Sequence, residues 1–191
     1  LADVLGQKSL LEALNINIVS AKSRATCIDH ALLYGPPGTG KTTVANAISN
    51  EMGSSLQVAN GANLRAIKTL IPYVMRIEEN SVLFIDEIHR MTPLVEEFLY
   101  PIMEDFKLDM ATESKDLQGE TISIDIPRFT LVGATTEYGS LSKPLIDRFK
   151  HKYTLSLYSV EELLSILRVS AESINVPMSE DAFRLVATTS R

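Results

Sequence analysis

The 191-residue sequence predicts an α/β fold with a mostly parallel five-stranded sheet between helices, on three observations. Short apolar runs alternate along the chain with segments whose apolar residues recur at helical spacing. One strand-to-helix junction carries Gly35-Pro36-Pro37-Gly38-Thr39-Gly40-Lys41-Thr42, in the G-x-x-x-x-G-K-[ST] pattern of a phosphate loop. A further apolar run, Val82-Leu83-Phe84-Ile85, ends in the carboxylate pair Asp86-Glu87.

In chain order, Ala31-Leu32-Leu33-Tyr34 reads as the first buried strand, closed by Gly35, and residues 41–52 as a helix. Residues 56–59 form a second strand. Residues 62–75 read as a helix kinked or restarted near Pro72, because proline lacks the amide donor. Residues 81–85 make the third strand. Thr92 as N-cap and Pro93 at the first helical position open a helix towards Met103. Residues 107–111 and 120–125 flank the polar stretch 112–119, and Ile122, Ile124 and Ile126 alternate with polar residues. That pattern predicts a β-hairpin over about 107–126. Residues 130–134 and 153–157 are the last two strands. Ser159 and Glu162 then form a capping box ahead of Leu163, Leu164, Ile166 and Leu167, all on one helical side. Ser179 caps a second helix carrying Phe183, Leu185 and Val186. The chain therefore divides into a large α/β domain, 1–158, and the start of a helical appendage, 159–191, which ends mid-domain at Arg191.

Composition sets bounds. With 45% hydrophobic and 22% charged residues the chain is globular, and at this length it buries roughly 70% of the unfolded surface without a staple. No run of 18 apolar residues exists, so nothing spans a membrane, and the N-terminus lacks a secretory signal. The single cysteine, Cys27, excludes an internal disulfide and suits a reducing cytoplasm. A start at Leu1 rather than Met reads as a trimmed piece. A net charge of −6 argues mildly against this piece alone gripping a nucleic-acid backbone.

The chemistry converges on a nucleotide. Glycines at 35, 38 and 40 let backbone N–H groups approach phosphate oxygens, and the helix opening at Lys41 adds free donors and a positive dipole end. Lys41 supplies a charge for the β and γ phosphates, and the Thr42 hydroxyl ligates Mg²⁺. Asp86, at the strand edge where α/β ligands bind, would hold the same Mg²⁺, and Glu87 would polarise the attacking water. Asp86-Glu87-Ile88-His89 also spells a two-lobed helicase signature, but 191 residues cannot hold both lobes, so that match is coincidental. Thr130 to Thr136 places hydroxyls at another strand end. By itself Arg148 is an ordinary surface arginine. His30, His89 and His151 lack metal-ligand spacing and read as structural or surface groups.

The loop, the run Leu83 to Arg90, Tyr100-Pro101-Ile102-Met103-Glu104-Asp105-Phe106, residues 129–136 and Asp147-Arg148-Phe149 together resemble the RuvB-type Holliday-junction branch-migration ATPases of the AAA+ class. Val4-Leu5-Gly6-Gln7 fits as well, so the resemblance covers essentially the whole chain. It implies an ATP-hydrolysing DNA motor working with ATP or ADP and Mg²⁺, acting in recombination and repair. Gly35, Gly38, Thr39, Gly40, Lys41, Thr42 and Thr43 match phosphate contacts, and Thr136 matches the sensor that meets the γ-phosphate or orients water. Arg148 matches the finger that completes a neighbour's site. Glu104, Asp105, Phe106 and Tyr158 match positions near bound nucleotide. The family forms hexameric rings around duplex DNA and meets the junction-binding protein RuvA through the hairpin.

Three departures stand out: Glu137 where the family has Arg, Lys150 where it has Gly, and a polar hairpin stretch from 112 to 120. The sensor-2 arginine, the rest of the lid and the winged-helix domain would follow Arg191. Two rivals to a hydrolysing motor remain open at this stage. One is a clamp-loader-like subunit or nucleotide-dependent assembly module, and the other is a non-hydrolysing binder.

Overall fold

A computed structural model describes residues 1, 4–111 and 121–190. Five strands, β1 (Ala31–Tyr34), β2 (Leu56–Asn60), β3 (Val82–Asp86), β6 (Thr130–Thr135) and β7 (His151–Thr154), form one sheet in the order β2-β3-β6-β1-β7. Every neighbouring pair is parallel. Alternate residues of each strand point to opposite faces, so the core is split in two. Leu32, Leu83, Ile85 and Leu131 face α3 (Ile67–Val74), α4 (Pro93–Glu104) and α5 (Lys143–Arg148). Ala31, Leu33, Phe84 and Val132 face α1 (Lys8–Ser23) and α2 (Lys41–Met52). Phe84, Phe129 and Phe149 are fully buried, each worth about 1.5–3 kcal/mol of transfer energy.

Several elements differ from the sequence reading. The helix α1 was not expected; it buries Leu10, Leu14, Ile18 and Ala21, spaced so that one face lies on the sheet. The segment after β2 breaks before α3 rather than at Pro72. Asn60 accepts from the Ala62 amide and closes a 3₁₀ turn over Gly61–Asn63, and Pro72 is carried inside α3. The last strand stops at Thr154 instead of running to 157. Leu155 still donates to Tyr34, but the Gln7 side chain then takes both backbone groups of Ser156.

The hairpin pairs β4 (Lys107–Ala111) antiparallel with β5 (Thr121–Asp125), Leu108 opposite Ile124. Its expected polar stretch, 112–120, lies outside the described residues. The capping box at Ser159 and Glu162 opens α6 (Val160–Ser173), which pairs with α7 (Glu180–Thr189). In α7 the buried residues are Phe183 and Ala187, four apart. Leu185 is on the opposite face and exposed.

Candidate nucleotide site

The parallel arrangement puts the C-terminal ends of β1, β3 and β6 side by side, and the loops leaving them enclose a cleft of about 420 Å³. From β1 the chain turns through the phosphate loop into α2. Gly40 adopts φ 90°, and a Cβ there would sit 2.7 Å from the Tyr158 hydroxyl, so both backbone shape and space require glycine. Thr39 closes the loop by donating to the Pro36 carbonyl at 2.9 Å. Lys41 is buried, and its Nζ donates to the carbonyls of Gly35 at 2.9 Å and Pro36 at 2.8 Å. Burial pushes this ammonium below its ordinary pKa, against the opposing pull of Glu87 and Asp86.

From β3 come Asp86 and Glu87. Glu87 is held in the left-handed region, φ 47° and ψ 47°, which is unusual for a residue with a Cβ. A Cβ on Gly61 would overlap the Glu87 carbonyl oxygen, so the neighbouring turn is fitted to that conformation. From β6 comes Thr136, whose hydroxyl donates to Glu87 Oε2 at 3.1 Å.

Gly38, Thr39, Gly40, Lys41, Thr42 and Thr43 line the cleft together with Asp86, Glu87 and Thr136. Gly35 does not line it; its carbonyl anchors Lys41 from below. Tyr158 reaches the loop from the start of α6 and donates to the Thr39 carbonyl at 2.9 Å. Thr42 and Asp86 offer a hydroxyl and a carboxylate on one cleft. Two hard oxygen donors suit Mg²⁺, which usually takes one or two protein ligands and completes its shell with phosphates and water.

His89, read from sequence as a structural or surface group, does not line the cleft but backs its carboxylate. The 3₁₀ turn Ile88–Arg90 folds it back, so that Nδ1 lies 2.9 Å from Thr135 Oγ1 and 3.2 Å from Glu87 Oε2. Its signal in sequence was only its place two residues after Glu87.

Arg148 and the segment Glu104-Asp105-Phe106 are elsewhere. The helix α4 leaves the cleft after β3 and runs 12 residues, or about 18 Å, back along the sheet. At its far end the Met103 carbonyl meets His30, just before β1 begins. Arg148 likewise sits just before β7 begins. All four residues therefore stand at the N-terminal edge of the sheet, opposite the loop. Glu104, Asp105 and Phe106, which the resemblance sets near bound nucleotide, are therefore not beside this chain's own cleft: Glu104 pairs with Arg148, Asp105 is exposed, and Phe106 packs on Phe129 under the Arg128 guanidinium.

Comparison with known proteins is consistent across sequence and structure. The family described as "Holliday junction DNA helicase RuvB P-loop domain" matches residues 1–155. A Campylobacter hominis protein named "Holliday junction branch migration complex subunit RuvB" is 45% identical over 189 residues, which is 99% of this chain and 55% of that protein. Among solved structures, a single-residue variant of Thermotoga maritima RuvB superposes with TM-score 0.87 at 38% identity, covering 97% of this chain and 58% of that one. The structure titled as the Thermotoga maritima RuvB Holliday junction branch migration motor gives 0.82 at 38% identity, covering 96% and 56%. The chain spans a little over half the length of these relatives. The phosphate loop, the strand-end acids and the threonine of β6 are thus set on a P-loop domain of the RuvB family, to which this chain belongs.

Proposed function

We propose that this chain is the ATP-binding and hydrolysing part of a Holliday-junction branch-migration motor. One observation carries the reading: Lys41, Thr42, Asp86, Glu87 and Thr136, from three strand ends, meet in one cleft. Nucleotide phosphates would exchange for the Gly35 and Pro36 carbonyls now bonded to Lys41, with the amides of residues 38–43 around them. When bound, Mg²⁺ between Thr42 and Asp86 would neutralise charge on the β and γ phosphates. Glu87 accepts from Thr136 through Oε2, which leaves Oε1 to orient and polarise a water for in-line attack. Tyr158, two residues ahead of α6, bonds to the loop, and 159–191 is read as the first part of a lid.

Arg148 cannot serve its own cleft from the opposite sheet edge. It serves a neighbouring subunit's cleft, which requires a ring, and a hexamer is the assembly proposed. The hairpin, exposing Met110, Ile122 and Ile124, is the proposed contact with a RuvA-like junction-binding protein. Duplex DNA is gripped mainly by other parts of the subunit, in keeping with the net charge of −6. The setting is the bacterial cytoplasm; among the described residues no helix is long and apolar enough to cross a membrane. Family membership favours this motor over a clamp-loader-like module. The test is ATP turnover by RuvB subunits carrying this chain, with and without a Holliday junction. Stimulated turnover with branch migration is expected, and nucleotide binding without turnover would refute it.

A further inference from the structure

Three residues of α4, Glu96, Tyr100 and Glu104, recur every four positions and so lie in one stripe along the helix. The stripe faces α5. At one end Ser142, the N-cap of α5, donates its hydroxyl to Glu96, and the Tyr100 hydroxyl donates to the same carboxylate. At the other end is Arg148. Its guanidinium carbon lies 3.8 Å from the centroid of the Tyr100 ring, within cation–π range. Nη1 donates to the Pro144 carbonyl at 2.9 Å, and Nη2 donates to Glu104 Oε2 at 3.3 Å. Nε is 3.3 Å from Glu104 Oε1. The Arg148 side chain is only 20% exposed.

We infer that Tyr100 and Glu104 are positioning residues for Arg148, holding its guanidinium as a preset clamp for a neighbour's phosphate; this rests on the reading of Arg148 as a finger acting in trans. A guanidinium carries five N–H donors. The hydrogen bonds above engage one proton on each terminal nitrogen, and Nε, buried, faces Glu104 Oε1 as an ion-pair contact without a hydrogen bond. One N–H on Nη1 and one on Nη2 remain, enough for a two-pronged grip on phosphate oxygens. A free arginine would have to order its rotatable stem at each encounter, and the stripe removes that cost in advance. Glu104 therefore acts through Arg148. A carboxylate laid directly against a nucleotide's phosphates would repel them.

The stripe also ties the two edges of the sheet together. α4 begins six residues after Glu87, so one helix runs from the cleft to the finger.

The experiment compares the double variant Tyr100→Leu/Glu104→Gln with Arg148→Ala in full-length subunits. The double variant is expected to lower DNA-stimulated kcat by about 10- to 100-fold, the scale of a small misplacement of a catalytic group. Its affinity for ATP should stay at the wild-type value. Mixing it with Lys41→Ala subunits, which keep the stripe and finger, should restore turnover at the double variant's own clefts. Loss of ATP affinity in step with turnover, or failure of rescue, would make the stripe merely structural and overturn the proposal. Wild-type kcat in the double variant beside an inactive Arg148→Ala would overturn it while leaving the finger standing. Full activity of Arg148→Ala would instead remove the finger reading itself.

Discussion

The two edges of the sheet are built in different ways. At the C-terminal edge, the cleft is assembled from loops that each follow a strand directly, and most of its polar groups are engaged by backbone or by each other: Lys41 with two carbonyls, Glu87 with Thr136, and His89 with Thr135. At the N-terminal edge, Arg148 is held by Tyr100 and Glu104 of a separate helix and by the Pro144 carbonyl of its own. The difference teaches which parts of a site the backbone fixes and which depend on helix-to-helix packing. It also fits the proposal that a neighbouring subunit completes the site. The strands between the edges are four to six residues long, or about 13–20 Å.

Breaking the cleft should separate chemistry from binding. Glu87→Gln keeps the shape and removes the base, so kcat should fall by about 10²–10⁴ while calorimetric ATP affinity is retained. A variant with near-wild-type turnover would remove Glu87 from the reaction. Lys41→Ala should weaken nucleotide binding by roughly 100-fold, the worth of charge-assisted bonds to phosphate. Unchanged calorimetric affinity would contradict the assignment of the loop.

Smaller effects sharpen the contrast. Gly61→Ala forces a Cβ into the Glu87 carbonyl, and overpacking of this kind costs about 1–3 kcal/mol. Chemical denaturation should show that loss, and turnover should drop because the left-handed turn at Glu87 shifts. Gly139→Ala, with open space around the added methyl, is the comparison that should leave stability nearly unchanged.

The smallest effect belongs to the N-terminal edge. His30 accepts from the Leu131 amide through Nδ1, so Nε2 carries the proton and donates to the Met103 carbonyl. Burial holds its pKa below the usual 6.5, against a smaller opposing effect of the Met103 bond. The unfolded ring binds a proton more readily than the folded one. His30 therefore contributes its full stability above pH 6.5 and loses it as pH falls through the lowered folded value. The gap in melting temperature between wild type and His30→Asn should narrow between pH 7.5 and pH 5. A constant gap would show that the ring is not held neutral.

The cleft was legible in the sequence because its motifs are contiguous. Residues 35–42 and the run from Val82 to Glu87 each carry their own strand and chemistry, and the resulting parallel sheet was expected. The first helix is hard to read from sequence because Ile16 and Val19 on its exposed side blur the apolar spacing, and its burial depends on a sheet formed later in the chain. His89 escaped because only the turn after Glu87 brings it back to the carboxylate. Glu104 came from the resemblance alone, and the sequence cannot show that a 12-residue helix carries it to the edge away from the loop. The stripe on α4 was invisible for the same reason: its meaning comes from α5, which no periodic signal announced.

The central claim is that catalysis needs one edge from each of two subunits. Its most direct measurement is ATP turnover in rings mixed from Lys41→Ala and Arg148→Ala subunits, each inactive alone. Arg148→Ala subunits keep an intact cleft, and a Lys41→Ala neighbour can supply the finger, so turnover should reappear and peak near equal mixing. The finger is worth about 10³–10⁵ in rate in related phosphate-loop enzymes, so the recovery would be large against the background. Mixed rings as inactive as their parents, or Arg148→Ala subunits fully active alone, would contradict the claim.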